Sequence, residues 1–438
     1  MKHAKFAFNS FITGTLLLTI TGVLSRIIGF FYRIFLSRTI GAEGLGIYQL
    51  IFPILTLCVS LSASGVQTSI SKYVAEEQGA REKNAGIRFL YAGLFLSLSL
   101  SFFVCLLLVT QADYIANEIL GEPRCSDLVR VMAFSIPFSA IHSCINGYYY
   151  GKKKTVLPSV TQLAEQIVRV ATVYIIYLVY TEQRIAITPV IAVWGIVCGE
   201  ISSMLISVTA VRFPKYSGSF SHALKKLTRF CIPLTANRVT INLFSSVEAI
   251  LIPAKLRVFG YSNTDALSVF GILTGMAMPM ILFPNVLTSS VSVLLLPTIS
   301  EAQASCNQRL IQKAIKKTVE YCLILGLFST LLFLLTGDFI GQYVFGNALA
   351  GTFITTLSWI CPFLNLATTL SSILHGLGKA TTAFVLNLSG CLIRILFIFG
   401  LVPIYGIRSY LYAMLISELF VSASALFVIR HFRGNCKN

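Results

Sequence analysis

The chain has 438 residues; 55% are hydrophobic, 12% are charged and the mean hydropathy is +0.79. A soluble chain of this length carries about a quarter charged residues, so the composition excludes a water-soluble globular domain and indicates a polytopic membrane protein. The formal net charge of +17 would suit a nucleic-acid partner, but its distribution along the chain does not.

Apolar stretches fall near 11–37, 45–70, 87–110, 128–150, 156–180, 186–211, 228–254, 267–297, 319–336, 349–374, 380–402 and 406–429, which makes twelve spans. Lys2 and Lys5 before the first stretch imitate a signal peptide. The run continues into a charged helix with no clear small-x-small cleavage site, so it reads as the first span. With the N-terminus inside, twenty-two of the 34 lysines and arginines fall in inner segments, among them Lys72, Lys152, Lys153, Lys154, Lys225 and Lys316. Six fall in outer segments: Arg38, Arg124, Arg184, Lys255, Arg257 and Arg408. The positive-inside rule then places both termini in the cytoplasm, and the basic balance is topology with contact to anionic lipid. Eleven scattered cysteines with no C-x-x-C pair read as small packing residues.

Within the first span, Thr15, Thr19, Gly22, Arg26, Gly29 and Arg33 recur at 4-3-4-3-4 spacing, one face of a helix. That stripe is about 27 Å long at ~1.5 Å per residue. Arginine in a membrane helix costs roughly 2.5–3.5 kcal/mol on insertion scales and keeps its charge, so such a face borders protein or water and asks for an anionic partner.

The same region carries a resemblance. Ser25-Arg26-x-x-Gly29-Phe30-x-x-Arg33, then Gly41-Ala-Glu-Gly44-Leu-Gly46-Ile-Tyr48, then Ile70-Ser71-Lys72-Tyr73-Val74-Ala75-Glu76 resembles the start of the polysaccharide-transporter branch of the multidrug/oligosaccharidyl-lipid/polysaccharide (MOP) exporter superfamily. Within it, the likeness is to the stage V sporulation protein B group. The resemblance implies flipping of a lipid-linked saccharide across the cytoplasmic membrane. It covers residues 15–80 by motif and the remainder by layout. Lipid II flippases and many stage V sporulation protein B relatives carry fourteen spans. The pair missing here is where such proteins are thought to lay the lipid tail.

An ordered series of matches points to an internal duplication. Pro137 and Pro362, Glu76 and Glu301, and Gln162-Glu165-Arg169 and Asn387-Gly390-Arg394 all stand 225 apart, while Glu200 and Glu418, and Arg212 and Arg430, stand 218 apart. Six spans per copy leave both copies in the same orientation. The expected fold is therefore an all-α polytopic membrane protein of about twelve transmembrane helices in two parallel six-helix lobes, 1–212 and 225–438, joined by a cytoplasmic linker at 213–224. Transporters built this way place substrate between the lobes near the midplane.

The residues expected to bind substrate are Arg26, Arg33, Arg169, Arg238 and Arg394. For Arg26 and Arg33 the alternative is snorkelling to the outer headgroups. Arg169 follows Glu165 by four residues, which also fits a structural ion pair on one helix. Arg394 has Gly390 in that place and reads as the freer charge; Arg238 shares a stripe with Asn242 and Ser245. Arg130 reads as interfacial. Glu200 and Glu418 fit lobe packing or ion coupling, and His142 and His375 fit satisfied helix–helix contacts. No cofactor is expected, with Na+ or H+ the ion of any coupling, and no metal site.

Enzyme motifs are absent. Gly147-x-x-x-Gly151-Lys152-Lys153 lacks a spacer and the Ser/Thr of a phosphate loop, and there is no H-E-x-x-H. The expected function is therefore not enzymatic. It is a flippase or exporter of a lipid-linked (polyprenyl-pyrophosphate) oligosaccharide or cell-envelope precursor, with membrane lipid and that anionic saccharide as partners. The rivals are a cation-coupled multidrug antiporter, which would favour acids over the two arginines of the first span, and a non-transporting scaffold for spore or envelope assembly. A membrane glycosyl ligase is disfavoured by the short outer loops.

Overall fold

The computed structural model describes residues 2–79, 86–211, 219–304 and 308–431. Among them, twelve helices are long and apolar enough to cross a membrane. They are α1 (Leu17–Thr39), α2 (Gly41–Gln78), α3 (Ile87–Thr110), α4 (Cys125–Gly151), α5 (Val156–Glu182), α6 (Val190–Ala210), α7 (Phe220–Phe259), α8 (Asn263–Leu282), α9 (Ile311–Val344), α10 (Ala348–Gly376), α11 (Ala380–Gly400) and α12 (Ile407–Arg430). No strand occurs among the described residues. A lipid solvent selects this outcome, because each apolar run must satisfy its own backbone N–H and C=O groups and the helix does so within one segment. The eighth apolar stretch divides into α8 and a separate helix, Asn285–Ala304, beyond Pro284.

Helix ends follow local chemistry. Ser262 accepts from the N–H of Asp265 at 3.1 Å ahead of α8, and Asn347 accepts from Leu349 and Ala350 at 3.0 and 3.3 Å ahead of α10. Gly41 takes φ +72° between α1 and α2, a conformation that glycine adopts without a Cβ penalty. Gly46 serves packing instead. A Cβ there would lie 2.0 Å from the carbonyl oxygen of Leu267, so α2 and α8 meet backbone to backbone only with glycine at this point.

Local backbone features recur at the offset read from the sequence. π-helical turns occupy Ile115–Ile119 and Ile340–Val344, 225 residues apart. Gly121 and Gly346 have φ +65° and +69°, and Lys153 and Gly378 have φ +56° and +72°, again 225 apart. Two further π turns, Ser60–Ser64 and Ile272–Ala277, interrupt α2 and α8.

By internal contacts the chain parts into two compact units. One is Met1–Ile40 with Ile47–Ile250; the other is Gly41–Gly46 with Leu251–Asn438. The division falls inside α7. Of the linker expected at 213–224, residues 213–218 lie outside the described residues, as does the side chain of Thr15. The first unit is built on Val66, Ile70, Leu90 and Ile145, with Tyr73 stacked on Phe89 at 4.8 Å. The second is built on Leu370, Ile373, Leu374 and Ile429 around Cys322.

Candidate functional site

The middle of the α1 stripe, from Gly22 to Gly29, is not a close packing face. A Cβ at Gly22 or Gly29 would meet nothing within 4 Å, so the small residues hold no neighbouring helix close. Between them Arg26 is exposed, and it makes no hydrogen bond or ion pair among the described residues. It stands thirteen residues before the end of α1, roughly 20 Å along the axis at ~1.5 Å per residue. The opposite side of α1 is packed: Phe35 meets Tyr174 and Tyr177 of α5 edge-on, at 6.0 and 5.3 Å.

Arg33, two turns further on, has a different setting. It is partly buried and interacts electrostatically with Tyr48, Arg169 and Tyr32. Arg169 is ion-paired with Glu165 on α5, and both side chains are more than four-fifths buried. Glu165 lies in turn beside Glu200 of α6 and His142 of α4, where the imidazole nitrogen and carboxylate oxygens come within 4.8 Å of one another. His142 Nε2 is 2.7 Å from Glu200 Oε2. Asn146, one turn beyond His142, donates to Thr161 Oγ1 at 3.4 Å, and Ser203 donates to the carbonyl of Thr161 at 2.9 Å.

Two glycines create this cluster. A Cβ at Gly199 would lie 2.9 Å from the Glu165 carbonyl, and one at Gly195 would lie 2.5 Å from Val173 Cγ2. Both lie on the face of α6 that meets α5, so the two backbones approach closely and carry Glu165 and Glu200 to each other. Two carboxylates so placed in low dielectric are tolerable only because a guanidinium and an imidazole share the site.

Arg238 of α7 is exposed but bonded. It donates to the Ser64 carbonyl at 3.3 Å and to Thr68 Oγ1 at 3.2 Å. Asn242, one turn later, donates to Ser60 Oγ at 2.5 Å. Together they serve the π turn Ser60–Ser64, where the i→i+5 pattern frees backbone acceptors. Arg394 is not the freer charge that Gly390 suggested. It stands 3.8 Å from Glu418 of α12 and donates to Ser417 Oγ at 3.4 Å.

Thus Arg33, Arg169 and Glu200 converge in the first unit, and Arg394 and Glu418 pair in the second. Arg26 and Arg238 join neither group. Tyr32 beside Arg33 and Asn146 beside His142 carry no signal of their own in the sequence, whereas Tyr48 closes the Gly41–Tyr48 motif and the Gly195-x-x-x-Gly199-Glu200 spacing marks the close helix approach. His142 makes the helix–helix contact expected of it, whereas His375 is exposed at the end of α10. Arg130 bonds Asp113 at 2.5 Å and is exposed, as an interfacial residue would be.

Residues 11–303, about two thirds of the chain, match the family model described as polysaccharide biosynthesis protein. The chain belongs to that family. This polysaccharide biosynthesis family member is similar to stage V sporulation protein B of Bacillus subtilis (strain 168), with 26% identity over 95% of this chain and 83% of the relative. It is also similar to the lipid II flippase MurJ of the same organism, at 23% identity over 87% and 75%. Among solved structures it matches a lipid II flippase MurJ in an inward closed conformation, at TM-score 0.75, 16% identity and 95% and 88% coverage. It also matches an inward-facing multidrug resistance MATE family transporter of the MOP superfamily, at TM-score 0.74, 15% identity and 93% and 94% coverage. The family member is therefore a multi-pass membrane protein with the expected all-helical fold.

Proposed function

We propose that the chain flips a lipid-linked, polyprenyl-pyrophosphate oligosaccharide or a similar cell-envelope precursor across the cytoplasmic membrane by alternating access. One observation carries this reading: Glu165, Glu200 and Glu418 each face a cationic or imidazole partner, while Arg26 stands exposed on an open small-residue face with no partner among the described residues. The charge left for a cargo is positive, which favours an anionic cargo over a cationic drug. The name of the lipid II flippase relative supports the same choice.

Bare passage of a pyrophosphate through hydrocarbon is blocked by a desolvation cost of tens of kcal/mol in the Born limit. A guanidinium replaces part of the lost hydration with bidentate, charge-assisted bonds. An inside-negative potential of about 100 mV favours outward movement by ~2.3 kcal/mol per negative charge, provided that the protein's own charges stay in place. For ion coupling, H+ fits the Glu165–Glu200–His142 donor set better than Na+, because the Arg169 guanidinium already supplies a cation beside Glu165.

Cells lacking the protein are expected to accumulate one lipid-linked saccharide on the inner leaflet, read by extracting and separating polyprenyl-linked intermediates. An unchanged lipid-linked pool would reject the reading. Orientation has its own check. Single cysteines at Glu118 and Lys153, both exposed, are introduced into a cysteine-free background. Position 118 should react with a membrane-impermeant maleimide in intact cells and position 153 should not. The reverse pattern would turn the topology over.

A further inference from the structure

At the end of the second unit opposite Arg430, the turn between α7 and α8, the start of α10 and the turn between α11 and α12 enclose a cavity of about 600 Å³. On the orientation argued above it opens to the outside. Its walls include Phe259, Tyr261, Thr352, Tyr405, Arg408 and Tyr412.

The near wall is fixed by a strained turn. Gly406 takes φ +66° and ψ −156°, a region that is essentially restricted to glycine. A Cβ there would lie 3.0 Å from Phe259 Cε1, so the ring is seated against the turn. Tyr261 meets Phe259 edge-on at 5.5 Å. Arg257, beside them, donates to Asn263 at 3.2 Å.

The threonine hydroxyls of the lining are spent on their own helix, Thr356 donating to the Thr352 carbonyl at 2.7 Å, but the guanidinium and the phenols are not so committed. Arg408 and the hydroxyls of Tyr261, Tyr405 and Tyr412 have no hydrogen-bond or ion-pair partner among the described residues. Of the other outer-segment cations, Arg124 pairs with Glu122 at 2.6 Å and Lys255 lies over the Phe399 ring at 4.7 Å, while the exposed Arg184 guanidinium has no partner among the described residues. In a chain that keeps most of its cations inside, an unpaired guanidinium among free phenols at this end departs from the pattern.

We propose that this cavity binds an acidic saccharide, one or two sugar rings bearing a carboxylate or phosphate. Phenol rings present apolar faces to the C–H faces of a sugar and hydroxyls to its own hydroxyls. The guanidinium fork grips a planar anion bidentately. The volume falls in the range of small-molecule sites. Leu349, Phe353, Ile407 and Leu411 supply apolar wall, but Arg408, Thr352 and Thr356 interrupt it, so the cavity lacks the continuous apolar walls that a lipid tail would need. That the cavity receives the headgroup after crossing rests on the flippase reading; binding of a free glycan does not.

The test uses the full-length protein in phosphatidylcholine nanodiscs, titrated by calorimetry and saturation-transfer NMR. The probes are the disaccharide of glucuronic acid and N-acetylglucosamine, and neutral chitobiose. The acidic disaccharide should bind about tenfold more tightly than the neutral one. Arg408→Ala should erase that preference, Arg408→Lys should keep part of it, and Tyr412→Ala should weaken both probes. Arg408 and Tyr412 are exposed, so these variants should fold. Absence of binding to the wild type, or binding unchanged in Arg408→Ala and Tyr412→Ala, would overturn the site. So would displacement of the acidic probe by phosphatidylglycerol in the nanodisc, which would assign Arg408 to a lipid headgroup. If the glycan binds but no lipid-linked substrate is flipped, the flippase reading fails and the site stands. Flipping without glycan binding removes the site alone.

Discussion

Arg26→Ala is expected to reach the membrane at normal abundance and to lose flipping. Removing the charge relieves an insertion cost of roughly 2.5–3.5 kcal/mol, and Arg26 has no partner among the described residues to strand. What it loses is a positioned donor for the anionic link of the cargo. Removal of one such preorganised donor from a reacting site costs roughly 10²–10³-fold in rate, and a loss on that scale is expected in a reconstituted flipping assay. Arg26→Lys keeps the charge without the planar fork and should retain part of the activity. Arg26→Glu should be inactive, because it repels the same anion. A snorkelling arginine gives a different order, with the Ala and Lys variants both flipping normally at matched protein levels.

The second large effect is on stability. Arg169→Ala leaves Glu165 beside Glu200 without its guanidinium. Breaking a buried pair by removing one member costs about 3–5 kcal/mol, whereas replacing both by apolar residues of similar volume is often neutral or stabilising. Arg169→Ala should therefore melt at lower temperature in detergent and accumulate poorly. The double variant Glu165→Leu/Arg169→Met should recover much of that loss. A wild-type melting temperature for Arg169→Ala would show that the pair does not hold the first unit together, and would free Arg169 for a substrate role.

The twelve spans were legible because each is written as a continuous apolar run that must be helical in lipid. The offset of 225 was legible because prolines and charges mark equivalent places, and the π turns at Ile115–Ile119 and Ile340–Val344 fall on it too. The partners of the intramembrane charges were less so. Glu165–Arg169 could be read because both lie on one helix at i,i+4. Arg394–Glu418 could not, because the pairing crosses from α11 to α12. The His142–Glu200 contact depends on how closely α4, α5 and α6 pack, which Gly195 and Gly199 decide through clearances of a few ångströms. Arg238 reads as a cavity charge until the π turn beneath it is known, since that turn supplies the carbonyl it bonds. The gap in α2 that makes this carbonyl available leaves no mark in hydropathy.

The most direct measurement is transport by the purified chain in proteoliposomes, with two cargoes offered in parallel. One is a fluorescent polyprenyl-pyrophosphate disaccharide whose leaflet is read by a membrane-impermeant quencher; the other is a cationic dye of the kind that drug antiporters export. The lipid-linked anion should equilibrate between leaflets only when the protein is present and Arg26 is intact, while the dye should not be moved. Dye transport driven by a proton or sodium gradient, with the lipid-linked saccharide left in its original leaflet, would contradict the flippase reading.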